Sequence, residues 1–405
     1  MNCYLRKNSW FLVSLAILGV ITSQPAAAAS LSYTIKPLFL DPSAAGINGY
    51  YFTATGINNL GQVTGSISIG GVVGSGAYRT VGNSAINDLN GIQGGDIVTQ
   101  AYGINDLGQV VGDTGYRYYS NGYRTAPNKD INLATDNLGS LYEGGVEPSS
   151  NSTIAYGVNN LGQVVGSSPI IRGTSPNDYD YTNNLFHAFR TAPNKAINPA
   201  TDDLGTLGSN YSYLNDRGLL VGYRSYALGI NDLGQVVGTS ATEEDTGNIS
   251  FGETVLALGI GNLYLLPNNG TYHAFRTAPN KAINPATDDL GTLGGSYSIA
   301  TAINRLGQVV GDSDGHAFLY SNGKLNDLNS LVAPNSFGGF SYLDIATAIN
   351  DKGQIVGNGT FPDGTSYPFL ATPTAIPEAS SGLGILAFGA VATGLMPKPK
   401  QKKQK

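Results

Sequence analysis

Three histidines, His187, His273 and His316, and two acid pairs, Asp202-Asp203 and Asp288-Asp289, are the residues best suited by type to hold a metal or move a proton. Their spacing argues for a structural role instead. Each histidine opens the same H-A-F phrase, and both acid pairs lie inside segments 187–208 and 273–294, which are identical over 22 positions. A catalytic residue is needed once, whereas a residue demanded by the fold recurs in every unit. The histidines are therefore expected at one strand position in separate units, and the acid pairs are expected to accept hydrogen bonds from turn amides. Asp312-Ser313-Asp314-Gly315 alternates carboxylates before a glycine, which suits calcium, but the other ligands of a full loop are missing, so it reads as a solvated hairpin turn. Glu243, Glu244, Asp245 and Glu253 escape the repeat and are the best non-structural candidates, although a solvated loop explains them equally well. No serine-histidine-acid set, phosphate-cradling loop or dinucleotide fingerprint sits in the required strand-to-helix context. No catalytic residue, metal ligand or cofactor is assigned on this basis, and the ligand-binding residues stay open.

The elements that carry these residues follow from the repeat. The phrase A-x-G-I-N-x-L-G-Q-V-V-G recurs with Asn58 and Gly61, Asn105 and Gly108, Asn159 and Gly162, Asn231 and Gly234, Asn304 and Gly307, and Asn350 and Gly353, with a degenerate copy at Asn215. Successive asparagines are 47, 54, 56, 16, 73 and 46 residues apart, a period near 50 that points to a propeller, solenoid or array. Asn favours the first corner of a type I turn and Gly supplies the left-handed residue after it, so two strands meet at each copy. The residue before that glycine is Leu60, Leu107, Leu161, Arg217, Leu233, Leu306 or Lys352, and leucine exchanges with lysine only where the side chain reaches water. Consecutive valines such as Val110-Val111 predict a strand buried on both faces.

A second phrase, H-A-F-R-T or its relatives at Tyr78, Tyr123, His187, His273, His316 and Tyr367, supplies a third strand. A hairpin at Asn322-Gly323 supplies a fourth. The fold class read from this pattern is all-β: a β-propeller of about six or seven four-stranded blades, six being favoured, built from repeats of roughly 50 residues. An open β-solenoid is the alternative. Residues 33–65 and the strand at Tyr367-Pro368-Phe369-Leu370 are expected to complete one blade together. The stretch from Gly222 to Tyr272 reads as an eroded blade or a long surface loop. Composition agrees: 55 of 405 residues are Gly and 24 Tyr stand against 2 Met, which excludes a helical bundle and assigns the glycines to turns.

Both ends stand apart from the repeat. Residues 1–29 have a basic start at Arg6-Lys7, an apolar run from Trp10 to Ile21 and an A-x-A site near Ala28, the pattern of a signal peptide helix. Its removal takes away Cys3 and Trp10, leaving no thiol for disulfides or nucleophilic chemistry. Residues 376–405 run Ile376-Pro377-Glu378-Ala379-Ser380, then an apolar segment from Gly382 to Leu395, then five lysines. The lysines resist translocation, so this end is a C-terminal apolar helix acting as a stop or membrane anchor. The order resembles the PEP-CTERM sorting signal over about 30 residues, with Ala379 as a departure. That resemblance implies an exported protein of a Gram-negative bacterium, cut near the motif by an exosortase-type protease. The repeats of residues 30–375 resemble the HAF family of extracellular repeat proteins, a resemblance that implies secretion and a repeat architecture but no activity or ligand.

The body between the two signals carries 15 Lys/Arg against 27 Asp/Glu, a net charge of −12. Nucleic acid is excluded as a partner, anionic lipid is a poor one, and membrane contact is expected only through the terminal segments. Two functional classes follow. One is a noncatalytic exported module at the cell surface or outside the cell, binding matrix polysaccharide or a protein. The other is a polysaccharide-cleaving propeller enzyme using funnel carboxylates about 5 to 10 Å apart.

Overall fold

The computed structural model describes residues 31–37, 50–69, 75–81, 85–88, 98–116, 119–142, 153–171, 185–208, 212–214, 220–242 and 271–374. Both terminal signals, the Asn215 turn and the acidic residues Glu243, Glu244, Asp245 and Glu253 lie outside them. The described chain is all-β, a series of small antiparallel sheets with only one-turn helices between strands.

Each sheet is built around the predicted turn. In chain order β1 (Tyr33–Pro37) precedes the first unit, which comprises β2 (Tyr50–Ile57), β3 (Val63–Ile69), β4 (Ser75–Val81) and β5 (Ala85–Asp88). The second unit holds β6 (Val98–Ile104), β7 (Val110–Tyr116) and β8 (Tyr119–Arg124), and the third β9 (Ile154–Val158), β10 (Val164–Ile171) and β11 (Leu185–Arg190). A lone hairpin, β12 (Ser212–Leu214) with β13 (Leu220–Gly222), precedes the fourth unit of β14 (Ser225–Ile230), β15 (Val236–Ala241) and β16 (Tyr272–Arg276). The fifth comprises β17 (Ser298–Ile303), β18 (Val309–Ser313), β19 (His316–Ser321) and β20 (Lys324–Asp327). The sixth comprises β21 (Tyr342–Ile349), β22 (Ile355–Thr360) and β23 (Ser366–Pro373). In every unit the Asn-x-x-Gly turn joins the first two strands, and the strand bearing the H-A-F-like phrase pairs with the second.

Four full strands per unit proved too many. A complete fourth strand follows the H-A-F-like strand in the first and fifth units, where Tyr78 faces Asp88 and Phe318 faces Asp327. In the second, third and fourth units it shrinks to single bridges, Tyr123 to Asn137, Phe189 to Asp203 and Phe275 to Asp289. The reason is local: in two of them the chain winds into a one-turn helix, α1 (Leu133–Asp136) or α2 (Pro199–Asp202), capped by Asn132 or Asn198, before it can extend. In the sixth unit the outer place is taken by β1, which pairs with β23 from Tyr33 opposite Pro373 to Pro37 opposite Phe369. Chain start and chain end thus share one sheet as expected, but the partition differs. Tyr367 lies in the third strand of its own unit, and residues 50–69 have Ser75–Val81 as their third strand. Of the stretch from Gly222 to Tyr272, the described residues include two strands of a regular unit, β14 and β15, while residues 243–270 lie outside them.

Packing explains the valines and many of the glycines. Val110, Val111, Val164, Val165, Val236, Val237, Val309 and Val310 are all fully buried, because neighbouring units cover both faces of the second strand. Alternate valines accordingly belong to different cores, Val110 with Ala77, Ala101 and Tyr123, and Val111 with Ala155, Val164 and Phe189. The glycine after each pair serves no turn. Where the first strand bulges, its carbonyl points at that glycine, so a Cβ on Gly166 would lie 1.9 Å from the Ile154 carbonyl oxygen and 2.8 Å from the Phe189 ring. The glycines of the Asn turns behave as expected, with φ between +73° and +76° at all six.

Candidate functional site

The six asparagine turns form a relay. Within each turn the Asn side-chain oxygen accepts from the backbone N–H groups two and four residues on, as Asn159 does from Leu161 and Gln163. Its amide nitrogen has two hydrogens to place. One goes to the Gln at the end of the same turn, Asn159 Nδ2 to Gln163 Oε1 at 2.8 Å. The other crosses to the backbone carbonyl of the next relay asparagine: Asn58 to Asn105 at 2.9 Å, Asn105 to Asn159 at 2.9 Å, Asn159 to Asn231 at 3.1 Å, Asn231 to Asn304 at 3.0 Å and Asn304 to Asn350 at 3.0 Å. Among the described residues the relay ends at Asn350, which is exposed and bonds only Gln354 through Nδ2.

Two further side chains repeat the step from one unit to the next. Gln62, Gln109 and Gln163 donate to Asn128, Asn194 and Asn280 in the T-A-P-N-K loop of the following unit. Arg79, Arg124, Arg190 and Arg276 reach the carbonyls of Gly108, Gly162, Gly234 and Gly307 in the next turn. Beside the relay asparagines stands a less regular series, Asn59, Asp106, Asn160, Asp232, Arg305 and Asp351. Asp106 accepts from Asn59 and Asn160, Asp232 from Asn160 and Arg305, and Asp351 from the Arg305 backbone. Burial acts to raise Asp106, but the bonds from Asn59 and Asn160 and the Arg305 charge outweigh it and hold the carboxyl below its ordinary range.

The histidines and acid pairs are consumed within single units. His187 Nδ1 lies 3.0 Å from Asp203 and His273 Nδ1 2.9 Å from Asp289, each joining the H-A-F strand to the bridge beside it, with His316 and Asp327 in the matching place at 3.6 Å. Asp203 and Asp289 also accept from the N–H of Gly205 and Gly291, while Asp202 and Asp288 accept from the N–H of Asn198 and Asn284, closing the turns as expected. The hydrogen bond to Asp289 raises His273 above its ordinary value despite burial. Among the described residues no group of three or more His, Cys, Asp or Glu is placed to hold a metal ion.

Two acids at one repeat position stand out. Asp113 on β7 and Asp312 on β18 each follow the strand glycine and lie opposite Gln100 and Ile299 of the first strand. Burial pushes Asp113 up to about 7, with the Tyr102 hydroxyl partly offsetting it, and one of its oxygens is buried without a partner. Burial pushes Asp312 up to about 6, offset in part by the Tyr297 hydroxyl at 3.0 Å and the Gly315 N–H. Asp312 is 2% exposed, so the expected solvated turn is corrected: only Asp314 and Gly315, both at positive φ, form the turn, while Asp312 points into the structure. No local pattern marks Asp113 in the sequence, since Ser167 and Thr239 occupy its place in neighbouring units and register alone shows what covers it.

No protein-family model matches this chain, and no curated protein does either. Among solved structures it is similar to the GH93 α-L-arabinofuranosidase of Fusarium graminearum in complex with arabinobiose, at 8% identity and a TM-score of 0.35, over 84% of this chain and 97% of that one. A point mutant of the α-L-arabinofuranosidase arb93a from the same fungus, in complex with an iminosugar inhibitor, gives the same identity and TM-score over 85% and 97%. At that TM-score and identity neither likeness bears on what the chain does.

The shifted groups set a pH dependence. In the folded chain Asp113 and Asp312 keep protons that the unfolded chain releases near pH 4, so stability should fall as pH rises from about 4 to about 7. His273 acts in the same direction, its contribution being complete below about pH 6.5 and lost as pH rises through its raised value. Asp203 and Asp289, both lowered, instead lose their contribution as pH falls below about 4. Melting followed by circular dichroism should therefore peak in mildly acidic buffer, and Asp113→Asn should flatten the decline toward pH 8. An unchanged slope in that variant would refute the assignment.

Proposed function

We propose that the chain is an exported protein whose body, residues 30–375, is a β-propeller of about six blades acting as a noncatalytic binding or scaffold module at the cell surface or outside the cell. Matrix polysaccharide or a surface protein is its partner. The observation that carries this reading is the destination of the repeated polar side chains. Asn in five of the units, Arg in four and Gln in three are spent on the next unit, and His with Asp on their own strand pair, so the residues that look most like chemistry hold the array together. In this reading the terminal segments are sorting signals, the C-terminal one serving as a transient membrane anchor until an exosortase-type protease cuts it.

A second reading has one observation in its favour. Carboxyls raised to about 7 and about 6, as Asp113 and Asp312 are, lie in the range of a general acid, which suits polysaccharide cleavage. One preparation tests both. Recovered from an exporting Gram-negative host, the protein should begin at Ala29 or Ser30 and end near Glu378 by mass spectrometry, and intact termini would contradict export. Incubated with a polysaccharide panel, it should release no reducing ends. Release that Asp113→Asn or Asp312→Asn abolishes would transfer the assignment to the enzyme.

A further inference from the structure

The residue two after each relay asparagine has no structural reason to be apolar. Its backbone N–H bonds the Asn side chain, but its own side chain points out, and Leu60, Leu107, Leu161, Leu233 and Leu306 are 66%, 47%, 50%, 53% and 73% exposed. Lys352 stands in the sixth turn with the same backbone bond, so the fold accepts a polar residue there. Because successive turns are bonded to each other, these exposed leucines all stand along one edge of the body, and exposed apolar side chains gathered on one edge mark a contact surface. Beside it stand exposed lysines. Asn128, Asn194 and Asn280 donate to the carbonyls of Leu107, Leu161 and Leu233, which sets the next residues, Lys129, Lys195 and Lys281, next to the leucines.

The chain leaves the body at this same edge. β23 ends at Pro373, whose Cγ lies 3.3 Å from where a Cβ on Gly353 of the sixth turn would sit. Seven residues, 375–381, then separate Thr374 from the apolar segment that begins at Gly382, a reach of roughly 25 Å when fully extended. Any bilayer that receives the segment is thus held within that distance of Thr374, beside the sixth turn. Leucines that enter the acyl boundary, with lysines beside them at headgroup level, are the side chains such a surface requires.

We propose that the edge formed by Leu60, Leu107, Leu161, Leu233 and Leu306 is the face on which the body rests against a lipid bilayer. The inference rests on the anchoring role proposed above for the C-terminal segment. It adds an orientation, with the turns toward the membrane and the opposite ends of the strands away from it. The acidic net charge does not oppose it, since the carboxylates of the series beside these leucines, Asp106, Asp232 and Asp351, are already bonded to Asn59, Asn160 and Arg305.

The test uses the full chain with Cys3→Ser, which leaves no cysteine, and single labels at Leu107→Cys, Leu233→Cys or His316→Cys. His316 adjoins the Asp314-Gly315 turn at the far end of its strand, and all three positions are exposed. Each labelled protein is reconstituted into vesicles of phosphatidylcholine and phosphatidylglycerol carrying spin-label quenchers in the acyl chains. Quenching at 107 and 233 should exceed that at 316 by about twofold or more. Equal quenching at all three positions, in protein that stays with the vesicles, overturns the orientation while leaving the anchor intact. Protein that does not stay with the vesicles overturns the anchor, and the orientation with it.

Discussion

Gly311→Ala should destabilise the protein by about 3–5 kcal/mol, since a new methyl in a site with no room forces backbone and ring to move together. The added Cβ would lie 1.9 Å from the Ile299 carbonyl oxygen and 2.8 Å from the Phe318 ring, and neither can yield alone. The carbonyl is fixed by the bulge between Ala300 and Ala302, and Phe318 is fully buried between neighbouring units. Gly323→Ala is the control. Nothing lies within 4 Å of its Cβ position and φ is +76°, so only the left-handed backbone penalty of about 1–2 kcal/mol applies. Urea titration of the two variants should separate them clearly, and equal midpoints would show that the strand glycines are there for another reason.

The relay asparagines should divide in the same manner. Asn159→Ala removes four hydrogen bonds at a site 4% exposed, two that close its own turn through the side-chain oxygen, one to Gln163 and one to the Asn231 carbonyl. With several buried partners left unsatisfied, the loss should be about 3–5 kcal/mol. Asn350→Ala removes the same turn bonds, but its amide reaches no further unit and water can replace what is lost, so about 1 kcal/mol is expected. Comparable losses in the two variants would mean that the bond between units adds nothing to stability.

The asymmetry within this side chain also marks the limit of what the repeat made legible. Asn as the first corner and Gly as the left-handed residue are visible in the sequence because the turn closes within five residues, and the Asn oxygen and the glycine φ behave as read. The outward leucines and the doubly buried valines were legible for a related reason, since substitution between copies and apolar doublets each report burial locally. The second amide hydrogen of Asn159 was not. Its partner, the carbonyl of Asn231, lies 72 residues away and is brought near only when whole units pack.

The outer strands and the acids follow that division. A hairpin such as Ser321 to Lys324 carries its own turn chemistry at Asn322-Gly323, both at positive φ, and forms where expected. The outer strand of the sixth unit has no local rule, because β1 joins β23 across more than 300 residues, and its extent is set by which edge was left unpaired. Asp312 read as part of a solvated turn and nothing in the sequence singled out Asp113, whereas cross-strand register places both under neighbouring side chains, where desolvation raises them. Local backbone chemistry thus wrote the turns, the strand alternation and the solvent-facing residues into the sequence. The links between units, the closing strand, the raised carboxyls and the edge at which the chain departs were decided by tertiary packing, since each depends on groups that are distant in sequence and meet only in the folded chain.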